Sequence, residues 1–319
     1  MLGLSILYVL LWGSVVYGIV LKIYLEKSRG KFTGKERLDG KVVLITGATQ
    51  GIGVEVARDL IRRGCRLWIA CRDLKRGQEV AQDLGGDCKL LRMDLCSLTS
   101  VRRAARHLIE KEPRLDILIN NAAVIPARTN IFTEDGFEAT YQTNYLSVVY
   151  LTLLLFEILR KSPSARVVNV SSNLHHVGFL GCISEDATRE HSWFESPLQM
   201  YSNSKFALNM VTKELAKLFQ PENIHVNTVH PGATKTKITL QGTTSMALFF
   251  HFVYHLFGKS PEEAAQAITY VAVSKDLEGV TGKYFVDCGV GWDNWRVNDP
   301  DRRRKLFEDT CRLLDLPSP

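Results

Sequence analysis

Twenty residues at the start of the chain, Leu2 to Leu21, carry no charged side chain, and the sequence then turns abruptly polar and basic. At about 1.5 Å of rise per residue, a helix of that length spans about 30 Å, the thickness of a bilayer's hydrocarbon core. The pattern therefore predicts an N-terminal transmembrane helix within residues 1–24. The run begins uncharged and ends at Lys22, Ile23 and Tyr24 without a small-residue cleavage site, which favours a retained anchor over a cleaved signal or a hydrophobic docking helix. Lys22, Lys27, Arg29, Lys31, Lys35 and Arg37 all follow it. The positive-inside tendency then makes residues 25–38 a basic juxtamembrane linker and places residues 39–319 in the cytosol.

Beyond Asp39, short apolar runs rich in β-branched residues alternate with longer helical patterns. The runs are Lys41–Thr46, Leu67–Cys71, Lys89–Met93, Asp116–Asn120, Arg166–Ser171, Ile224–Val229 and Lys283–Asp287. Continuous apolar strands separated by helices are the signature of parallel strands covered on both faces. The fold class is thus α/β, a Rossmann-type doubly wound parallel sheet in a single domain. Gly178–Pro197 is polar, lacks periodicity and reads as a long loop.

Composition narrows the function. Hydrophobic residues at 45% and charged residues at 23% exclude a disordered chain. Seven cysteines without a C-x-x-C pair exclude a disulfide scaffold or zinc knuckle and fit a reducing compartment. Of the net charge of +6, residues 22–41 supply +4 through seven Lys/Arg against three acids, so nucleic acid is not expected as a partner. The triplet Asn169-Val170-Ser171 lies inside a strand pattern and carries no luminal reading.

Candidate chemistry begins where the first strand runs into Thr46-Gly47-Ala48-Thr49-Gln50-Gly51-Ile52-Gly53 and a helical pattern from Val54. Glycines at a strand-to-helix turn admit a pyrophosphate to the backbone, and the helix N-terminus adds free N–H groups and a positive dipole end. After the second strand the sequence reads Cys71-Arg72-Asp73, where an arginine suits a 2′-phosphate and hence NADP. Asp73 on the ribose of NAD is the alternative. Further on, Tyr201 and Lys205 are four residues apart on a helical pattern and share a face. A cation there lowers a phenol's pKa and makes tyrosine a usable general acid or base.

The order of these features, with Asn120-Asn121-Ala122-Ala123 after the fourth strand, Asn144, Ser171-Ser172 after the fifth and Pro231-Gly232 after the sixth, resembles the short-chain dehydrogenase/reductases. The N-terminal run, Ala70-Cys71-Arg72-Asp73, His175-His176-Val177-Gly178 and Gly282-Lys283-Tyr284-Phe285-Val286-Asp287-Cys288 make it similar to the membrane-anchored retinol dehydrogenase group within that family. The resemblance implies catalytic roles for four residues. Tyr201 would exchange the proton, Lys205 would hold the nicotinamide ribose and tune the phenol, Ser172 would bond the substrate oxygen, and Asn144 would position a water. It also implies that Gly47, Gly51, Ile52, Gly53, Arg72, Asp94, Leu95, Asn121, Ala122, Pro231 and Gly232, together with Tyr201 and Lys205, line NADP(H), with no metal. The implied substrate is a hydrophobic alcohol/aldehyde pair, retinol and retinal first, and the implied membrane is the endoplasmic reticulum. A steroid or other lipid carbonyl, and a catalytically silent nucleotide-binding protein of the same fold, are the rivals. A homodimer is admitted but not required.

Ala123 and Thr49 depart from the glycine and asparagine usual in this group. His251 and His255 have the spacing of a zinc helix but lack the intervening glutamate, so an apolar helix with histidines at its rim is expected instead. His175 and His176 either line a substrate entrance or cap a loop. Arg302-Arg303-Arg304-Lys305 reads as the polar face of a terminal helix, with Leu306, Phe307, Cys311, Leu313 and Leu314 as its apolar complement. Residues 246–257 contain no Asp, Glu, Lys or Arg and read as an apolar flap over the substrate, with a core helix as the alternative.

Overall fold

The structure, a computed structural model, describes residues 20, 22, 23, 26, 27, 29–125, 128, 130–180, 196–234 and 258–317. Most of the expected anchor, residues 181–195 of the expected long loop and all of residues 246–257 lie outside the described residues. Among the described residues, no helix is long and apolar enough to cross a membrane.

Strand β1 (Val42–Thr46) leads into α1 (Ile52–Arg62), β2 (Arg66–Cys71), α2 (Leu74–Leu84), β3 (Cys88–Arg92), α3 (Leu98–Lys111) and β4 (Ile117–Asn120). The short helix α4 (Ala139–Tyr141), a π-helical stretch (Gln142–Leu146), α5 (Ser147–Leu154) and α6 (Phe156–Leu159) precede β5 (Ala165–Val170). There follow α7 (Pro197–Phe219), β6 (Ile224–His230), α8 (Pro261–Val273), β7 (Tyr284–Val286), β8 (Gly289–Val290) and α9 (Pro300–Leu313). The sheet order is β3-β2-β1-β4-β5-β6-β7-β8, with β1 to β7 parallel and β8 antiparallel to β7. Strand order reverses between β1 and β4, the switch point where open α/β sheets bind ligands.

The apolar runs form strands because both faces of each are covered. Val42 and Leu44 of β1 join the core under α3, α5 and α7, whereas Val43 and Ile45 join the core under α1 and α8. Each such side chain contributes roughly 1.5 to 3 kcal/mol on burial, which is why β4 and β5 bury almost no polar residue. Asn120 and Asn169 are the exceptions in β4 and β5. Asn120 Nδ2 donates to Asn169 Oδ1 (2.8 Å), and Asn169 Nδ2 donates to Thr212 Oγ1 on α7 (2.9 Å). This places Asn169 inside the protein, where no glycan could reach it.

Most helices start at a side-chain cap. Asp73, Ser97, Ser196, Ser260 and Asp299 accept from first-turn N–H groups of α2, α3, α7, α8 and α9. Helix α1 starts at Gly51 with no side-chain cap. From Arg29 onward the basic stretch packs onto the domain. Arg29 pairs with Glu263 of α8 (2.8 Å), and the Phe32 ring meets Tyr270 edge-on at 5.5 Å with the Arg63 guanidinium 5.2 Å above it.

Candidate active site

Apart from Tyr201 and Lys205 on α7, the expected cofactor residues sit where strands end at the carboxyl edge of the sheet. Gly47 leaves β1 with φ of 70°, and a Cβ there would lie 2.8 Å from Ala122 Cα. A Cβ on Gly53 would lie 2.5 Å from the Gly47 carbonyl oxygen and 2.7 Å from Asn121 Nδ2, so the turn closes only around glycine. Asn121 Nδ2 donates to the carbonyls of Thr46 (2.9 Å) and Gly47 (3.2 Å), while Thr46 Oγ1 accepts from the backbone N–H groups of Asn121 and Ala122 (3.0 Å each). The Asn121 side chain thus braces the turn from behind. Thr46, which sequence reasoning did not single out, is the other half of that brace.

Arg72 follows β2 and is exposed. The Asp73 carboxylate next to it accepts from Arg76 N at the start of α2 (3.1 Å). After β3, Asp94 Oδ1 accepts from Cys96 N (2.9 Å), and the carbonyl of the buried Leu95 accepts from Ser147 Oγ (2.6 Å). After β6 come Pro231 and Gly232, and a Cβ on Gly232 would meet the Lys259 side chain at 2.8 Å.

At the reacting end, helix α7 carries Tyr201, 8% exposed, and Lys205, 2% exposed. The Lys205 amine lies 5.6 Å from the Tyr201 ring centroid and donates to the Val170 carbonyl at the end of β5 (2.8 Å). Burial pushes this amine down to about 7. One carbonyl partner leaves the remaining donors of the amine available to ligand hydroxyls. Asn144 sits in the π-helical stretch, a distortion often found at functional sites. Its Oδ1 accepts from Val124 N (2.8 Å), and its Nδ2 donates to the Val124 carbonyl (2.9 Å) and to Ser204 Oγ (3.2 Å). Ser204, beside Lys205, was missed by sequence reasoning and is what joins Asn144 to α7. Ser172 caps the 3-10 turn Asn173–Val177, its Oγ accepting from Leu174 N (3.2 Å).

The loop after β5 is drawn against α7. A Cβ on Gly178 would lie 2.5 Å from the Ser202 carbonyl, and Asn203 Oδ1 accepts from Phe179 N (3.0 Å). Of the two readings of the histidine pair, an entrance lining or a loop cap, the full burial of His175 and its bonds to the Ser172 carbonyl fit the cap. Among the described residues no group of His, Cys, Asp and Glu could hold a metal, and His251 and His255 lie outside them. A cleft of about 150 Å³ lined by Gly40, Gly64 and Arg66 lies at the other, amino ends of β1 and β2 and contains none of these residues.

A switch-point sheet with a glycine turn and a buried Tyr/Lys pair defines a dinucleotide-dependent oxidoreductase fold, and comparison with known proteins agrees. The family profile described as Enoyl-(Acyl carrier protein) reductase matches residues 47–291. The chain belongs to the short-chain dehydrogenase/reductase family, whose members use a nicotinamide cofactor. It is 36% identical to retinol dehydrogenase 13 of Mus musculus over 314 residues, covering 95% of this chain and 92% of that protein. It is 40% identical to retinol dehydrogenase 14 of Mus musculus over 288 residues, covering 85% of each. Among solved structures, an uncharacterised protein from Mycobacterium Paratuberculosis superposes with a TM-score of 0.72 at 27% identity, covering 89% of this chain and 97% of that one. The Pseudomonas aeruginosa RhlG/NADP active-site complex superposes with a TM-score of 0.61 at 30% identity, covering 80% and 97%.

Proposed function

We propose that the protein is an NADP-dependent oxidoreductase of a hydrophobic alcohol/aldehyde pair, with retinol and retinal as the first candidates, held at a membrane by its N-terminal helix. The residues present fit the cofactor. Helix α1 is left without a side-chain cap, so its first N–H groups are available to a pyrophosphate. Arg72 is exposed at the end of β2, while the Asp73 carboxylate is engaged in capping α2, which favours a 2′-phosphate over a ribose diol there. The relatives named retinol dehydrogenase support the choice of substrate.

The observation that carries the chemistry is the buried Lys205 amine beside the Tyr201 ring. Hydride transfer is what a bound nicotinamide supplies. Tyr201 holds the proton at its hydroxyl and exchanges it with the substrate oxygen. The protonated Lys205 amine favours the phenolate and offers donors to the ribose. Ser172 donates to the same substrate oxygen, so charge developing there meets a donor already fixed in place. Asn144, locked to Val124 and Ser204, supports the Lys205 side of α7.

The test is Tyr201→Phe assayed by NADPH fluorescence on retinal, a steroid ketone and aliphatic aldehydes. Turnover falls about 100-fold or more while NADPH still binds. An active variant refutes the proton role, and preference for the steroid moves the substrate assignment. For the anchor, protease added to sealed microsomes digests the catalytic domain, and full protection refutes the cytosolic orientation.

A further inference from the structure

We propose that His175 is a positioning residue for Ser172, held in turn by Asp293 and Lys213. The proposal rests on the reading of Ser172 as a donor to the substrate oxygen. His175 grips one atom of that residue twice. Its backbone N–H lies 3.0 Å and its Nδ1 lies 2.7 Å from the Ser172 carbonyl oxygen. A carbonyl only accepts, so Nδ1 carries a proton. On the other side of the ring, Nε2 lies 3.1 Å from Asp293 Oδ1. Turning the ring over about its Cβ–Cγ bond would put carbon where each nitrogen now sits, so one ring orientation meets both partners.

Asp293 comes from the segment after β8 and is itself pinned. Its Oδ2 lies 3.2 Å from Lys213 Nζ, and its Oδ1 accepts from Asn294 N (3.0 Å) and Asn209 Nδ2 (3.4 Å). Burial opposes ionisation of Asp293, but the His175 hydrogen bond and the Lys213 charge together hold its carboxyl below the usual range. Asn209 and Lys213 continue, at four-residue steps, the face of α7 that begins with Tyr201 and Lys205. One helix face therefore carries the Tyr/Lys pair at one end and, one to two turns on, the groups that seat the partner of His175. The Tyr284 ring packs 4.7 Å from His175, and its hydroxyl donates to Asn173 Oδ1 (2.7 Å), fixing the same turn from β7. Ser172 Oγ already accepts from Leu174 N, so its own proton remains to be donated, and its direction follows from how the turn is held. Releasing the carbonyl tilts that hydroxyl without removing it.

A double-substitution cycle separates positioning from general support of the fold. Measured with NADPH and retinal on the full chain, His175→Ala lowers kcat by about 10- to 100-fold while the dissociation constant for NADPH, read by fluorescence titration, is unchanged. His175→Asn, which keeps a donor near the Ser172 carbonyl, recovers most of the loss. In Ser172→Ala, His175→Ala adds less than about twofold, because its effect passes through a hydroxyl no longer there. Losses that multiply in the double variant overturn the proposal, as does full activity of His175→Ala. Where His175→Ala does not accumulate as folded protein, Asp293→Asn replaces it in the same cycle. If Ser172→Ala alone retains full turnover, the reading of Ser172 fails and the proposal fails with it. If Ser172→Ala is impaired and the losses multiply, only the role of His175 fails.

Discussion

Replacing Lys205 with methionine exchanges a buried amine for an apolar chain of similar length, and the consequence for stability depends on pH. In the folded protein burial pushes the amine from 10.5 down to about 7, whereas the unfolded chain keeps the ordinary value. Below pH 7 the amine is charged in both states, and the fold bears the whole penalty, about 5 kcal/mol at roughly 1.4 kcal/mol per pH unit of separation. Between pH 7 and 10.5 the unfolded state binds more protons than the folded one, so wild-type stability rises with pH. From pH 7 to pH 9 this group contributes roughly 2 kcal/mol of that rise. Against the relief, methionine leaves the Val170 carbonyl without its donor at 2.8 Å, which costs about 1 to 3 kcal/mol. The variant is therefore the more stable apoprotein at pH 7, and its advantage narrows by roughly 2 kcal/mol at pH 9. Urea titrations of both full-length apoproteins at the two pH values, followed by tryptophan fluorescence, measure the difference directly. Parallel gains in the two proteins would show that Lys205 does not titrate in this range and would refute the reasoning. On the role proposed for Lys205 the same substitution abolishes turnover, so stability and activity are expected to move in opposite directions at one residue.

Three further outcomes are expected. Arg72→Ala raises KM for NADPH about 10- to 100-fold and barely changes that for NADH, and equal effects on both would remove Arg72 from the 2′-phosphate. Gly53→Ala forces a Cβ to within 2.5 Å of the Gly47 carbonyl and costs about 1 to 3 kcal/mol in the turn, so dinucleotide affinity read by fluorescence titration drops about tenfold or more. An unchanged affinity would mean that the turn relaxes without consequence. On the sequence of residues 246–257, kcat/KM climbs with aldehyde chain length at up to about 0.8 kcal/mol per CH₂, and replacing Phe249 and Phe252 together with Ser lowers it for retinal alone. Equal loss on a short aldehyde would make the segment ordinary core.

The parallel strands were legible because two-sided burial demands continuous apolar runs, and the run at Val42–Thr46 differs from its sequence expectation only by the omission of Lys41. The hairpin to β8 was not. Its two turn residues, Asp287 and Cys288, both have positive φ, 50° and 59°, a conformation the sequence normally advertises with Asn-Gly or Asp-Gly. The π-helical stretch around Asn144 likewise has no sequence signal, since its extra residue per turn is imposed by packing. At the site, local spacing revealed Tyr201 and Lys205, but the partnership of His175 with Asp293 spans 118 positions and could be seen only once β7 and β8 were folded beside α7. Asn121 was expected from sequence to line the cofactor, and the brace its amide gives the glycine turn had no local signal, because Thr46 and Gly47 lie 75 and 74 positions away.

The uncapped start of α1 extends the cofactor's influence to the lifetime of the protein. With glycine at the cap position the missing side-chain bond withholds roughly a few tenths of a kcal/mol from the native state, and a bound dinucleotide accepting from the free N–H groups restores more than that. Ligand present at about 100 times its dissociation constant stabilises the native state by roughly 2.7 kcal/mol, which cuts the open population, and with it the rate of proteolytic loss, about 100-fold. Supply of the dinucleotide then bears on how fast the chain is degraded as well as on how fast it works.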